Sequence, residues 1–226
     1  YGACGARALA LRRGRPGQLM AASAAGREAP VPYTLDDMAD DALGLLDALD
    51  LPSAHVCGVS MGGMIVQTMA LNALDRVRSL TSIMSSTGNP DLPPARPDAM
   101  AALMSPPGRT RDEAIARAVE VGRVIGSPAF PQDAEVAAAR AARDYDRSAY
   151  PDGVARQMAA VVAHGNRRPR LEAISVPALV IHFAGDLAVP IRLGRAFADG
   201  LPRWMFTQYV GPGDLFRMSF LWFVGI

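Results

Sequence analysis

The residues of this sequence best suited to chemistry are a serine and two glycines, spaced Gly58-x-Ser60-x-Gly62 within residues 56–63 (VCGVSMGG). A short apolar run precedes them and a longer one follows, which predicts a strand, a tight turn and a helix. Such a corner is strained and exposes the serine hydroxyl. We expect small residues at 58 and 62, because the two backbones pass closely there, and Gly63 should let the helix start pack on the sheet.

This corner has the parts needed for acyl transfer. A serine hydroxyl is a weak nucleophile until a neighbouring base removes its proton. The backbone N–H of Met61, at the start of the helix, would face the negative oxygen that forms during such an attack. The spacing therefore predicts Ser60 as a nucleophile. The alternative interpretation is an ordinary glycine-rich turn whose serine takes no part in chemistry.

The elements around the corner predict a parallel β-α-β unit. Thr34, with an acid three residues later, marks the start of a helix whose apolar positions continue to Leu49, and Pro52 ends it. A strand at about 55–59 then leads into the corner. We expect the following helix to extend to about residue 74 and the next strand to cover about 78–84.

The next part of the chain predicts a helical insertion and a second functional residue. Residues 88–110 are rich in proline and glycine, and helices are expected at about 111–125, 132–146 and 153–164. They would form a cap over the sheet, spanning about 88–170. A buried strand is expected at 176–183, and Asp186 follows it in a turn. Its alternative interpretation is an aspartate that caps the next helix.

Composition excludes several classes of protein. The 226 residues are 50% hydrophobic and 20% charged with a net charge of +1, which indicates one globular core and neither a nucleic-acid nor a membrane-surface partner. No apolar run is long enough to span a membrane. Cys4 and Cys57 do not suggest a disulfide framework, and Cys57 is expected as a small buried side chain. These features favour a cytoplasmic protein. A dinucleotide-binding domain is disfavoured, since no strand is followed by G-x-G-x-x-G.

Four stretches together resemble the α/β-hydrolase family, and within it the small esterases related to aclacinomycin methylesterase and proline iminopeptidase. They are YTLDDMADD from Tyr33, HVCGVSMGGM from His55, DRVRSL from Asp75 and VPALVIHFAGD from Val176. The resemblance implies a doubly wound, mostly parallel sheet with an inserted helical cap. It implies Ser60 as nucleophile, Asp186 as the acid that orients a histidine, and Met61 as an oxyanion donor. A small-molecule ester is the implied substrate, with no cofactor and no metal.

Two departures from the family pattern concern the ends of the chain. The family's histidine should follow the last strand, but Asp214 stands there and no histidine follows His182. The family's first strands and its His-Gly loop have no counterpart before the corner. We therefore expect an irregular segment at 1–30, a hydrolase core at 31–202, and an atypical tail at 203–226 that holds seven of the 14 aromatic residues. Both ends are interpreted as truncated or frame-shifted.

Two functional hypotheses follow from this pattern. The first is a serine hydrolase acting on a carboxylic ester through an acyl-enzyme. The second is a catalytically inactive fragment or remnant, because the expected base is missing. His55 should lie at the wrong end of its strand, and His182 should be packed within one. His164, at the end of a cap helix, is the remaining candidate. The arginines at 167, 168 and 170 are expected to form a solvated hinge.

Overall fold

The structure is a computed structural model that describes residues 31–126 and 131–182. The predictions for residues 1–30, Asp186, Asp214 and the 203–226 tail lie outside the described residues. Six α-helices and three strands follow one another in the described part: α1 (Leu35–Ala48), β1 (Ala54–Val59), α2 (Met61–Asn72), β2 (Val77–Ile83), α3 (Pro97–Leu103), α4 (Arg111–Ile125), α5 (Ala134–Arg147), α6 (Pro151–His164) and β3 (Ala178–Ile181). Short 3₁₀ turns at Leu74–Arg76 and Arg168–Ala173 precede β2 and β3.

The three described strands form a parallel sheet in the order β1-β2-β3. Val59 is paired in register with Ile83, and Ile83 with Ile181, so the C-terminal ends of all three strands lie at one edge. The β1-α2-β2 unit predicted from the sequence is confirmed. That edge is where α2 begins, and it is therefore the edge that carries Ser60.

Local signals set the helix starts. Thr34 and Thr110 each accept a hydrogen bond from the third helical residue, whose own carboxylate accepts from the cap backbone. These are the two capping boxes that the sequence predicts. Asp133 caps α5 by accepting from the backbone N–H groups of Glu135 and Val136. These caps satisfy N–H groups that a helix start otherwise leaves without partners.

The main core lies between the sheet and α2. Its buried members include Val66, Met69 and Ala70 of α2, together with Val77 and Leu80 of β2. Leu171 and Ile174, from the 3₁₀ turn and the residue after it, join the same cluster. The chain between α6 and β3 is therefore anchored directly against the helix that follows Ser60.

Three sequence expectations differ from the structure. The helix α3 was not predicted, because its seven residues lie within a proline-rich stretch. Leu45 and Leu49, expected on the apolar stripe of α1, are 59% and 58% exposed. Cys57 is exposed rather than buried. Side chains alternate along a strand, and Cys57 shares with His55 the exposed face of β1, the edge strand of the described sheet. Among the described residues, no helix is long and apolar enough to cross a membrane.

Candidate active site

Ser60 occupies a strained corner between β1 and α2. Its backbone angles are φ 54° and ψ −117°, in a region that residues other than glycine seldom adopt. Such a conformation costs roughly 1–3 kcal/mol and persists only where the surrounding structure enforces it. The side chain is exposed. The corner predicted by the Gly-x-Ser-x-Gly spacing is therefore present, and the catalytic role of Ser60 stays a prediction.

Hydrogen bonds from β2 and the residues after it hold this corner in place. The Ser60 N–H donates to the carbonyl of Ile83 over 2.8 Å, which extends the parallel ladder by one residue. The Ser60 carbonyl accepts from the Ser85 hydroxyl at 2.7 Å. It also accepts from the Met64 N–H at 3.3 Å, the first turn of α2. Both sides of the serine backbone are thus fixed while its hydroxyl remains accessible.

The glycines around Ser60 differ in their need for space. A Cβ on Gly58 would collide with the backbone carbonyl of Gly62, so glycine is required there. A Cβ on Gly63 would lie 2.5 Å from the Ser85 Cβ, which confirms the close packing expected at the helix start. Among the described residues, nothing lies within 4 Å of a Cβ placed on Gly62. Within the described part of the chain, the prediction that position 62 must be small was therefore wrong, because no described side chain or backbone crowds its α-carbon.

Met61 and Asp186 complete the predicted set of site residues. Met61 is the first residue of α2, so its backbone N–H has no acceptor within the helix. It lies directly after Ser60 at the helix start, and its role as an oxyanion donor stays a prediction. Asp186 lies outside the described residues.

None of the three histidines forms a described hydrogen bond with Ser60. The His55 ring bonds to Ser79 at 2.7 Å near the start of β1. His164 lies 3.2 Å from Asp36, which accepts from Asn72 at the end of α2. Asn72 is about 18 Å along the helix from Ser60, at ~1.5 Å per residue. His182 follows β3, is fully buried, and is two strands from Ser60.

A buried arginine is the feature that sequence reasoning missed. Arg167 is 2% exposed, in contrast to the solvated hinge expected for this cluster. Its backbone and side chain both donate to the chain that leaves β2. Arg168 and Arg170 are exposed, as expected. No local signal distinguishes the three, because the partners of Arg167 are distant in sequence.

The His164 side chain is only 5% exposed and lies among charged groups. Burial is the largest cause that lowers its pKa, and the nearby cations of Arg167 and Arg170 act in the same direction. The Asp36 carboxylate opposes the shift but does not cancel it. His164 is therefore a neutral ring in the folded protein over a wider pH range than in the unfolded chain.

This shift predicts a pH dependence of stability. A histidine with a lowered pKa in the folded state binds its proton more readily when unfolded, so stability rises with pH. The contribution is complete above the unfolded pKa of about 6.5 and is lost as the pH falls below it. We expect the urea midpoint to fall more steeply between pH 7.5 and 5.5 in the parent than in His164→Asn, whose amide can still donate to Asp36. Parallel pH curves would contradict this.

A metal-binding cluster or a pocket away from Ser60 would be an alternative functional site among the described residues. Among residues 31–126 and 131–182, no three metal-ligating side chains come together. An open groove of about 370 Å³ lies between α4 and α5, lined chiefly by Ile115, Val119 and Ala138. None of the residues that line it belongs to the serine corner.

Comparison with known proteins agrees with this geometry. The sequence is 29% identical over 196 residues to rhodomycin D methylesterase of Streptomyces sp. (strain C5), covering 76% of this chain and 64% of that protein. It is 29% identical over 169 residues to 3-oxoadipate enol-lactonase 2 of Acinetobacter baylyi, covering 74% of this chain and 60% of that protein. The chain thus spans less than two thirds of the length of these relatives.

A solved structure and a family model show the same architecture. A meta-cleavage product hydrolase from Pseudomonas fluorescens IP01 superimposes with a TM-score of 0.63 at 17% identity, over 79% of this chain and 64% of that one. At this identity the likeness shows the fold alone. The sequence model of the alpha/beta hydrolase fold matches residues 20–223. The strained serine corner, the parallel sheet and this match together establish that the chain belongs to the α/β-hydrolase family.

Proposed function

We propose that this chain carries the nucleophilic half of an ester hydrolase site. The observation that supports this most directly is Ser60, whose left-handed backbone and exposed hydroxyl lie at the start of a helix. A strained backbone at a helix start lowers the stability of the fold, and residues strained in this way cluster at functional sites. The related methylesterase and enol-lactonase, by their names, act on ester or lactone bonds.

The proposed reaction is a two-step acyl transfer. The Ser60 Oγ attacks the acyl carbon as a base takes its proton, and the carbonyl oxygen gains the negative charge. The Met61 N–H would stabilise that oxygen. Collapse breaks the ester bond, the alcohol leaves with a proton, and water then releases the acid from the acyl-enzyme. Asp186 is proposed to orient the base, and we assign that base to none of the three histidines.

The substrate is proposed to be a small-molecule ester. The helices α3 to α6 lie between β2 and β3 in the chain, and we infer that they form the cap over the serine edge. Ligands in open parallel sheets bind beyond the C-terminal ends of the strands, which is the edge that Ser60 occupies. An ester that enters there would find room beside Gly62, where the described residues leave space for an added methyl group.

A fluorophosphonate probe tests the nucleophile directly. An activated serine displaces fluoride from phosphorus and keeps the phosphonyl group, which mass spectrometry locates in the peptide. We expect one modification on the peptide that contains Ser60, absent in Ser60→Ala and unchanged in Ser148→Ala, which alters an exposed serine beyond α5. No labelling of a folded sample would favour the second hypothesis, a hydrolase fold without hydrolase activity.

A further inference from the structure

Arg167 links the end of α6 to the chain that leaves β2. Its backbone N–H donates to the Thr87 carbonyl at 2.8 Å. Its Nη2 donates to the Ser86 carbonyl at 2.7 Å. Its Nε donates to the Gln67 Oε1 on α2 at 3.2 Å. One side chain therefore joins α2, the helix that follows Ser60, to residues 84–88, which are called the exit loop below.

In the described part of the structure, the Arg167 guanidinium forms no hydrogen bond to a carboxylate. Both of its side-chain acceptors are neutral oxygens. Burial lowers the pKa of Arg167 to about 10, and the Asp36 charge opposes that shift. The group is still protonated at neutral pH. Burying a charged side chain yields little net stability compared with a well-packed apolar one. We therefore look for the role of Arg167 in the two segments that its hydrogen bonds connect, α2 and the exit loop.

The exit loop lies directly against the serine corner. Ser85, Ser86 and Thr87 are all buried. The Ser85 hydroxyl donates to the Ser60 carbonyl, and the Ser85 side chain lies against the α-carbon of Gly63. The loop also begins with a strained residue, since Met84 has φ 45°. A loop of this kind needs outside contacts to keep one conformation.

A second connection reaches the same corner through Gln67. Its Oε1 accepts from Arg167, and its Nε2 donates to the Ser82 hydroxyl near the end of β2 at 3.3 Å. Arg167 thus fixes the amide of Gln67 in one orientation. That amide in turn ties α2 to β2 about two helical turns along the chain from the serine.

We propose that Arg167 is a positioning residue for the Ser60 corner. It holds the exit loop and α2 in a single arrangement, and the exit loop holds the Ser60 backbone through Ser85. This inference rests on the proposed function in so far as the corner is catalytic. A positioning role predicts an effect on the chemical step, since small displacements of a nucleophile reduce rates strongly.

The test compares Arg167→Met with Arg168→Met, a matched change at the neighbouring exposed arginine. Hydrogen exchange followed by mass spectrometry reports on peptides covering 58–64 and 84–90. We expect exchange of these two peptides to accelerate about tenfold in Arg167→Met, while α4 and α5 stay unchanged. For ester hydrolysis we expect kcat to fall ~10–100-fold with KM changed less than about twofold. Arg168→Met should match the parent in every measurement.

Arg167→Lys provides a second variant that keeps the charge. A lysine ammonium cannot donate in the fixed planar geometry by which the guanidinium reaches both Gln67 and Ser86. We therefore expect exchange rates and kcat in Arg167→Lys to lie between those of the parent and Arg167→Met. Uniform acceleration across all helices would show that Arg167 only stabilises the fold, and unchanged exchange at the corner would also overturn the inference. A parent without esterase activity whose corner still loosens selectively in Arg167→Met or Arg167→Lys would refute the proposed function and retain the positioning role.

Discussion

Replacing Ser60 by alanine should abolish most of the hydrolysis of a short-chain p-nitrophenyl ester by this chain. The exposed Ser60 hydroxyl is the group that we propose to form the acyl-enzyme, so its removal should leave only oxyanion stabilisation and binding. Loss of a catalytic serine typically lowers kcat by ~10³-fold or more. The measurement is the initial rate of nitrophenolate release by the parent and the variant at matched concentrations.

Two further variants separate chemistry from structure at this position. Ser60→Ala keeps the left-handed backbone of the corner, so its thermal midpoint should be close to that of the parent. Ser60→Gly removes the cost of placing a side chain at φ 54° and should gain about 1 kcal/mol in unfolding free energy while remaining inactive. A gain in stability together with loss of activity would show that the strain at Ser60 is maintained for function.

The result that would contradict this prediction is equal turnover by parent and variant. Residual hydrolysis in both would then come from another nucleophile or from general catalysis by the surface. Ser148→Ala serves as the control, because it removes an exposed serine hydroxyl far along the chain from the corner. Activity that follows Ser60 alone would also require a base, and substitution of each histidine in turn would identify or exclude it.

The serine corner was predictable because its determinants are local. Gly58, Ser60 and the apolar runs on either side lie within a few residues, and the backbone geometry follows from them. The capping boxes at Thr34 and Thr110 are equally local and were confirmed at the residue level. The parallel pairing of β1 with β2 followed from the short β1-α2-β2 connection, since parallel neighbours need a crossover such as a helix.

Features that depend on distant partners were not predictable. Arg167 and Arg168 have the same chemistry and adjacent positions, yet only the first is buried, because its acceptors lie 81 and 100 residues away in the sequence. The open space at Gly62 has the same origin. Whether a Cβ fits there depends on where chain segments outside the corner run, whereas the collision at Gly58 is built into the corner itself.

Cys57 was expected to be buried and is exposed, whereas Arg167 was expected to be exposed and is buried. An apolar strand that leads into a serine corner is expected to be covered on both faces in a doubly wound sheet. In the described structure β1 is paired only with β2, and one of its faces remains accessible at His55 and Cys57. Burial on that face depends on elements beyond the strand, which the pattern of β1 alone does not encode.

Replacing Gly58 by alanine should destabilise the fold severely, while the same change at Gly62 should not. A Cβ on Gly58 would overlap the Gly62 carbonyl and lie 2.6 Å from the Gly63 nitrogen. Both obstacles are backbone atoms, so relief requires moving the start of α2 away from β1. We expect a loss of about 3 kcal/mol or more in unfolding free energy, a large share of the ~5–15 kcal/mol typical of a domain.

Gly62→Ala is the matched control, since it adds the same methyl group four residues later, within the helix. Its Cβ would meet nothing within 4 Å in the part of the chain that the structure describes, and its backbone is not left-handed. Alanine is the better helix former by ~1 kcal/mol, so stability should be equal or slightly higher. Urea unfolding of both variants measures the difference. If they unfold at similar midpoints, the close approach of strand and helix at Gly58 does not exist in solution, and the strained geometry of Ser60 would lose its structural basis.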